Sequence, residues 1–94
     1  MNWVEVIHVR SSERETDRLM KTVQRLLDEV NEDKNTRAIN LYRRADLVTD
    51  LSLQLFHDSV REETDGSQLG LCIAQALKSF GMVNHSVWIE IPHG

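Results

Sequence analysis

The chain has 94 residues, 11 Lys plus Arg against 15 Asp plus Glu, and a formal net charge of -4. That is enough chain for one domain, and the acidic balance argues against a generic binder of nucleic-acid phosphates. Hydrophobic residues make up 40% and charged residues 28%, and there is one Cys. This excludes a disordered tail, a bilayer-spanning segment and an internal disulfide, and it fits a reducing cytoplasm. Strand-like sequence directly after Met1 argues against a conventional signal peptide.

Trp3 to Arg10 reads as the first strand, with Val4, Val6, Ile7 and Val9 supplying β-branched bulk. Ser12-Glu13-Arg14-Glu15 has the form of a capping box. Behind it Leu19, Met20, Val23, Leu26, Leu27 and Val30 make one apolar helical stripe, which Asn31 to Asn35 ends in a solvated turn. Arg37 to Arg44 is the second strand, with Ile39 and Leu41 alternating against Asn40 and Tyr42. After a polar connection from Ala45 to Asp50, Leu51, Leu53 and Leu55 alternate with Ser52, Gln54 and Phe56 as a half-buried third strand. An acidic loop covers Asp58 to Gly66. Asp65 or Ser67 then caps a second helix whose stripe is Leu69, Ile73, Ala76, Leu77 and Phe80. Gly81 stands where a left-handed helix end is wanted, and Val83 to Ile91 is the last strand, closed by Pro92.

The order β-α-β-β-α-β, with right-handed crossovers, predicts an antiparallel sheet ordered 4-1-3-2 with both helices on one face. This is the ferredoxin-like α+β sandwich, one domain over residues 1–94. Alternation assigns Val4, Val6, Ile39, Leu41, Leu51, Leu53, Leu55, Val83, Val87, Ile89 and Ile91 to the helix side. Strand 1 is ambiguous by apolarity. Because a carboxylate against the helices is costly unless paired, Glu5 turns Trp3, Glu5, Ile7 and Val9 to the open face. That face then carries Trp3, Glu5, Asn40, Tyr42, Gln54, Phe56, Trp88 and Glu90, including four of the five aromatic residues. These eight are the candidate ligand pocket or dimer face. An apolar patch of this kind is seldom left bare, and a second copy of the chain is the simplest cover.

In element order, length and the Trp-bearing last strand Ser86-Val87-Trp88-Ile89-Glu90, the chain resembles the dimeric α/β-barrel superfamily, which includes antibiotic-biosynthesis-type monooxygenases. The resemblance implies a homodimer paired through its sheets, and the short apolar runs leave no membrane partner expected. In some members it also implies oxidation of small aromatic substrates without metal or flavin. No catalytic motif matches residue by residue, so the catalytic residues stay unassigned and no cofactor or metal is implied. The haem-degrading members are disfavoured because neither helical stripe contains His.

Three functional readings follow. The first is a homodimer binding a small apolar or aromatic molecule between its sheets. The second is a cofactor-independent oxygenase with Trp3, Tyr42, Trp88 and Asn40 or Gln54 positioning substrate. The third is a regulatory module of the amino-acid-sensing kind, weakened because the loop Arg10-Ser11-Ser12 has no Gly.

His8 and His85 are the most interesting single pair. Placed opposite each other on neighbouring strands, with Val6 against Val87 and Val4 against Ile89, they would share a metal or sense pH. Two edge histidines satisfied by backbone or water is the plainer reading, since a closed metal site needs further ligands. His57 is expected too far away to help. Cys72 reads as a small buried hydrophobe. Asp58, Glu62, Glu63 and Asp65 lack the spacing of a calcium loop. Arg37, Arg43 and Arg44 with Tyr42 form only a weak nucleic-acid patch, so RNA binding is disfavoured.

Overall fold

Alternating apolar residues in four segments and two helical stripes build a sheet layer and a helix layer. The computed structural model describes residues 2–30, 38–58 and 65–93. The strands are β1 (Asn2–Ser11), β2 (Ala38–Arg44), β3 (Leu47–Asp58) and β4 (Gly81–Ile89), and the helices are α1 (Thr16–Val30) and α2 (Gln68–Leu77). All strand pairs are antiparallel and the sheet order is β2-β3-β1-β4, with both helices on one face, as the element order requires.

The helix starts differ in chemistry. Ser67 caps α2, its Oγ accepting from the Gly70 amide at 2.9 Å. At α1 the expected capping box does not form. Glu13–Glu15 instead makes a 3-10 turn on the Ser12 carbonyl, which also accepts from Thr16 Oγ1, and the Glu15 carboxylate is taken by Arg18. Strand β3 begins at Leu47, four residues before the expected Leu51, because Ala45 and Asp46 alone close the β2–β3 hairpin. Gly81 is extended, not left-handed, and it opens β4. A side chain there would run into the Arg10 carbonyl across the strand, so close backbone approach is what the glycine serves.

The core holds Leu19 and Val23 from α1, and Ile73, Ala74 and Leu77 from α2 with Phe80 just beyond. Against them lie Leu51, Leu53 and Leu55 of β3. Arg18 places its guanidinium 4.6 Å from the Phe80 ring centre. The α2 stripe falls on Ala74, not Ala76, and Cys72 is exposed, contrary to the buried position expected of it.

The main correction concerns β1. Glu5, Ile7 and Val9 pair with Leu55, Leu53 and Leu51, so Trp3, Glu5, Ile7 and Val9 face the helices and are buried, while Val4 and Val6 take the open face. The expected order of cost is reversed because Glu5 is paired, as described below. Ile91 lies past the end of β4 and is exposed, so it joins neither face. No described element covers the other side of the sheet. Tyr42, Phe56, Met82 and Trp88 are exposed there, Trp88 at 61% and Met82 at 75%.

Candidate functional site

Glu5 is fully buried, and both of its oxygens are occupied. His57 Nε2–H donates to Oε1 at 2.7 Å, and His85 Nε2–H donates to Oε2 at 2.7 Å. Register explains the convergence. Glu5 sits opposite Leu55 on β3 and Val87 on β4, and the two histidines stand two residues along those strands on the same face, at diagonal positions. Three adjacent strands therefore aim three polar side chains at one point beneath α2.

The chain entering α2 lies directly on this trio, and two glycines allow it. A side chain at Gly70 would overlap the Glu5 carboxylate, and one at Gly66 would overlap the His85 ring. Gly66 also has φ +96, in the left-handed region. The carboxylate thus sits under the N-terminal end of a ten-residue helix, whose positive pole favours an anion. Hydrogen bonds and helix field together offset the desolvation that a lone buried carboxylate would suffer.

Trp3 stacks on the His57 ring, with centroids 4.1 Å apart and planes 20° from parallel. Phe56, Asp58, Trp88 and Glu90 line a cleft of about 370 Å3 at this end of the sheet, and Trp3 and His57 are among its lining residues although their rings turn to the helix side. With its Nε2–H committed to Glu5, the neutral ring carries no proton on Nδ1.

A second polar cluster lies at the other end of the sheet, on the open face. Asp50 accepts from Arg10 Nε at 3.1 Å, from Arg10 Nη2 at 3.2 Å and from His8 Nε2 at 3.2 Å, with Arg44 Nη1 at 3.6 Å. The Arg10 hydrogen bonds hold the Asp50 carboxyl below its usual range, against burial and with help from His8, and the same contact raises Arg10. A depressed carboxyl contributes stability above the ordinary aspartate value of about 3.9 and loses it as pH falls. Asp50→Asn should therefore lower the urea midpoint at pH 6 to 7, and the gap to the parent should close as pH drops below about 4. A gap that stays constant down to pH 3 would contradict this.

The expected His8–His85 pair does not form. The register is offset by one residue, with His8 opposite Asn84 and Ile7 opposite His85, so Val4 meets Trp88 and Val6 meets Ser86. One residue is half a pleat, which sends the two histidines to opposite faces. His57, expected to lie too far away, is the residue that meets His85 through Glu5. Parity already puts His57 with Leu51, Leu53 and Leu55, and His85 with Val83 and Val87, so the missing signal was a partner for Glu5.

Of the residues singled out from sequence, Phe56, Trp88 and Glu90 come together at the cleft, while Trp3 turns its ring to the helix side with Glu5. Asn40, Tyr42 and Gln54 do not line it. Asn40 Nδ2 and Tyr42 Oη are 3.3 Å apart, and Tyr42 borders a separate hollow with Val6, His8 and Asp50. Glu62, Glu63 and Arg37 lie outside the described residues. Among the described residues no group of three or more His, Cys, Asp or Glu is arranged to hold a metal ion, and no helix is long and apolar enough to cross a membrane.

No protein-family model and no curated protein matches the chain. Several solved structures are similar over nearly its whole length. Rv0793 from Mycobacterium tuberculosis is 15% identical with a TM-score of 0.74, covering 99% of this chain and 98% of its own. A putative antibiotic biosynthesis monooxygenase from Nitrosomonas europaea is 9% identical with a TM-score of 0.73, covering 99% and 94%. SnoaB, a cofactor-independent oxygenase from Streptomyces nogalater, is 11% identical with a TM-score of 0.73, covering 98% and 95%. Identity at this level speaks to architecture alone. The chain therefore has the ferredoxin-like α+β fold shared by the antibiotic-biosynthesis-monooxygenase-like proteins.

Proposed function

We propose that this protein is a cofactor-independent monooxygenase acting on a small planar aromatic substrate in the cleft beside Phe56 and Trp88, with His57 as the base. The observation that carries the reading is an aromatic cleft at the end of the sheet whose lining residues include His57, a histidine hydrogen-bonded to a buried carboxylate. The likeness to SnoaB and to the Nitrosomonas protein adds support at the level of fold.

The chemistry suits a substrate whose methylene group is acidified by flanking rings. His57 takes a C–H proton, and the electron-rich carbanion reduces dioxygen and forms a C–O bond. Return of the proton gives a secondary hydroperoxide, which loses water to leave a ketone at the former methylene carbon. One methylene and one dioxygen thus become one carbonyl and one water, with no external reductant. Glu5 orients His57 and is a positioning residue. Anthrone is a suitable probe, since its product absorbs distinctly and oxygen uptake can be followed in parallel. The protein should exceed the buffer rate, and His57→Phe should lower kcat by about 100-fold, within the range for loss of a general base. Oxygen uptake no faster than buffer would overturn the activity, and an unchanged His57→Phe rate would overturn the base.

We also propose that the open face is covered by a second copy, giving a homodimer paired sheet to sheet. Trp88, Met82, Tyr42 and Phe56 are an exposed apolar set of the kind a single chain seldom leaves wet. Trp88→Arg should halve the mass measured by light scattering at micromolar concentration, or aggregate the protein. An unchanged dimer mass would place Trp88 outside the contact. A lone, exposed Cys72 accords with a reducing, cytoplasmic setting.

A further inference from the structure

The two flanks of the domain differ in charge. One flank holds α1, with Asp17, Arg18, Lys21, Arg25, Asp28 and Glu29, and β2, which ends in Arg43 and Arg44 with a register break between them. Charges and bulges are means by which a protein keeps an edge strand from pairing further. The other flank holds β4 and α2, and neither contains a Lys, Arg, Asp or Glu. Among the described residues β4 is the outermost strand on its side, and it pairs with β1 in unbroken register. The Glu90 amide donates to the Asn2 carbonyl, so the even-numbered residues of β4 direct their main-chain groups to β1. The odd-numbered residues, Val83, His85 and Val87 among them, direct theirs to the open edge. Above this edge α2 rests on β1 and β4, and it exposes Leu71, Cys72 and Ala76. A helix without charges is the kind that sits covered.

We propose that this uncharged flank binds the same flank of a second copy about a two-fold axis at His85, with β4 pairing antiparallel to β4 and α2 packing on α2. The strand is self-complementary about that axis. Val83 meets the partner's Val87, Met82 the partner's Trp88 and Asn84 the partner's Ser86. These pairs set an aliphatic chain on an aliphatic chain, a thioether on an indole, and an amide beside a hydroxyl. The two His85 rings stay apart because each is drawn inward to its own Glu5. With strands about 4.8 Å apart, the two α2 axes would lie about 10 Å from each other, within packing range. The contact runs along an edge, so it is distinct from the pairing of sheet faces and does not depend on it.

Amide hydrogen exchange on the parent protein tests the ladder without any substitution. The Val83, His85 and Val87 amides should exchange at least about 100-fold more slowly than unprotected peptide, as Asn84 and Ser86 do through β1. Exchange near the unprotected rate at all three would overturn the proposal, and pairing of sheet faces alone leaves them open. Cross-linking then tests the register at two exposed positions. In a Cys72→Ser background, Asn84→Cys chains mixed with Ser86→Cys chains should form a disulfide-linked pair on mild oxidation. Directly opposite residues of this type stand about 4.5 Å apart at Cα, within disulfide reach. Either variant alone should cross-link to less than about a tenth of that extent, since its own copies meet only on the diagonal. Equal cross-linking with and without mixing, or none in either case, would overturn the pairing. Packed sheet faces lie about 10 Å apart, too far for this bridge, so the bridge reports the edge contact alone.

Discussion

Glu5→Ala should destabilise the protein by about 3–5 kcal/mol, seen as a lowered urea midpoint with little change in slope. The magnitude follows from what remains. Glu5 is fully buried, and its loss leaves two imidazole N–H groups, one from β3 and one from β4, without their acceptor. An unsatisfied buried donor costs about 1–3 kcal/mol, and the vacated space cannot be filled by shifting three hydrogen-bonded strands. Glu5→Gln separates packing from chemistry. The amide keeps the volume and one acceptor but presents an NH2 where the second histidine donates, so the loss should be about 1–2 kcal/mol. If Glu5 orients His57, the folded Gln variant should also lose oxygen uptake well beyond what its stability explains. A Glu5→Ala cost below about 1 kcal/mol would mean that the trio is solvated and not held as described.

The same residue explains which parts of the fold were readable in advance. On β3, Leu51, Leu53 and Leu55 alternate with Ser52 and Gln54, and that contrast alone assigns both faces. On β1 there is no contrast, since Val4 and Val6 oppose Ile7 and Val9, and the choice falls on one carboxylate. Solvation favours turning Glu5 outward, and only its partners reverse this. Those partners lie 52 and 80 residues away in sequence, so no local pattern reports them. The cleft was half legible for the same reason. Phe56 and Trp88 stand on strands whose parity was clear, whereas Trp3 and His57 stack only once β1 is turned over. The α1 start shows a smaller version. Ser12 and Glu15 have the spacing of a reciprocal cap, yet a 3-10 turn satisfies the Glu15 amide with the Ser12 carbonyl and leaves the carboxylate to Arg18. Element order survives such local substitutions because it depends on many apolar positions, whereas a site depends on a few polar ones.

Gly70→Ala tests the trio from the helix side, and its sign is the informative part. In an exposed helix the change would gain about 1 kcal/mol of propensity. Here the new methyl would overlap Glu5 Oε2 and lie 2.6 Å from the carboxyl carbon. A free carboxylate would swing aside, but both oxygens are held by histidines, so either α2 lifts from the sheet or a hydrogen bond breaks. Overpacking of about 1–3 kcal/mol, added to a charge-assisted hydrogen bond of about 1.5–3, outweighs the propensity gain, and the net loss should be about 2–4 kcal/mol. The double variant decides the cause. With Glu5 already alanine the obstacle is gone, so Gly70→Ala should become neutral or mildly stabilising, a coupling of at least about 2 kcal/mol between the two positions. If the two costs simply add to within about 0.5 kcal/mol, the glycine serves the helix and not the carboxylate beneath it.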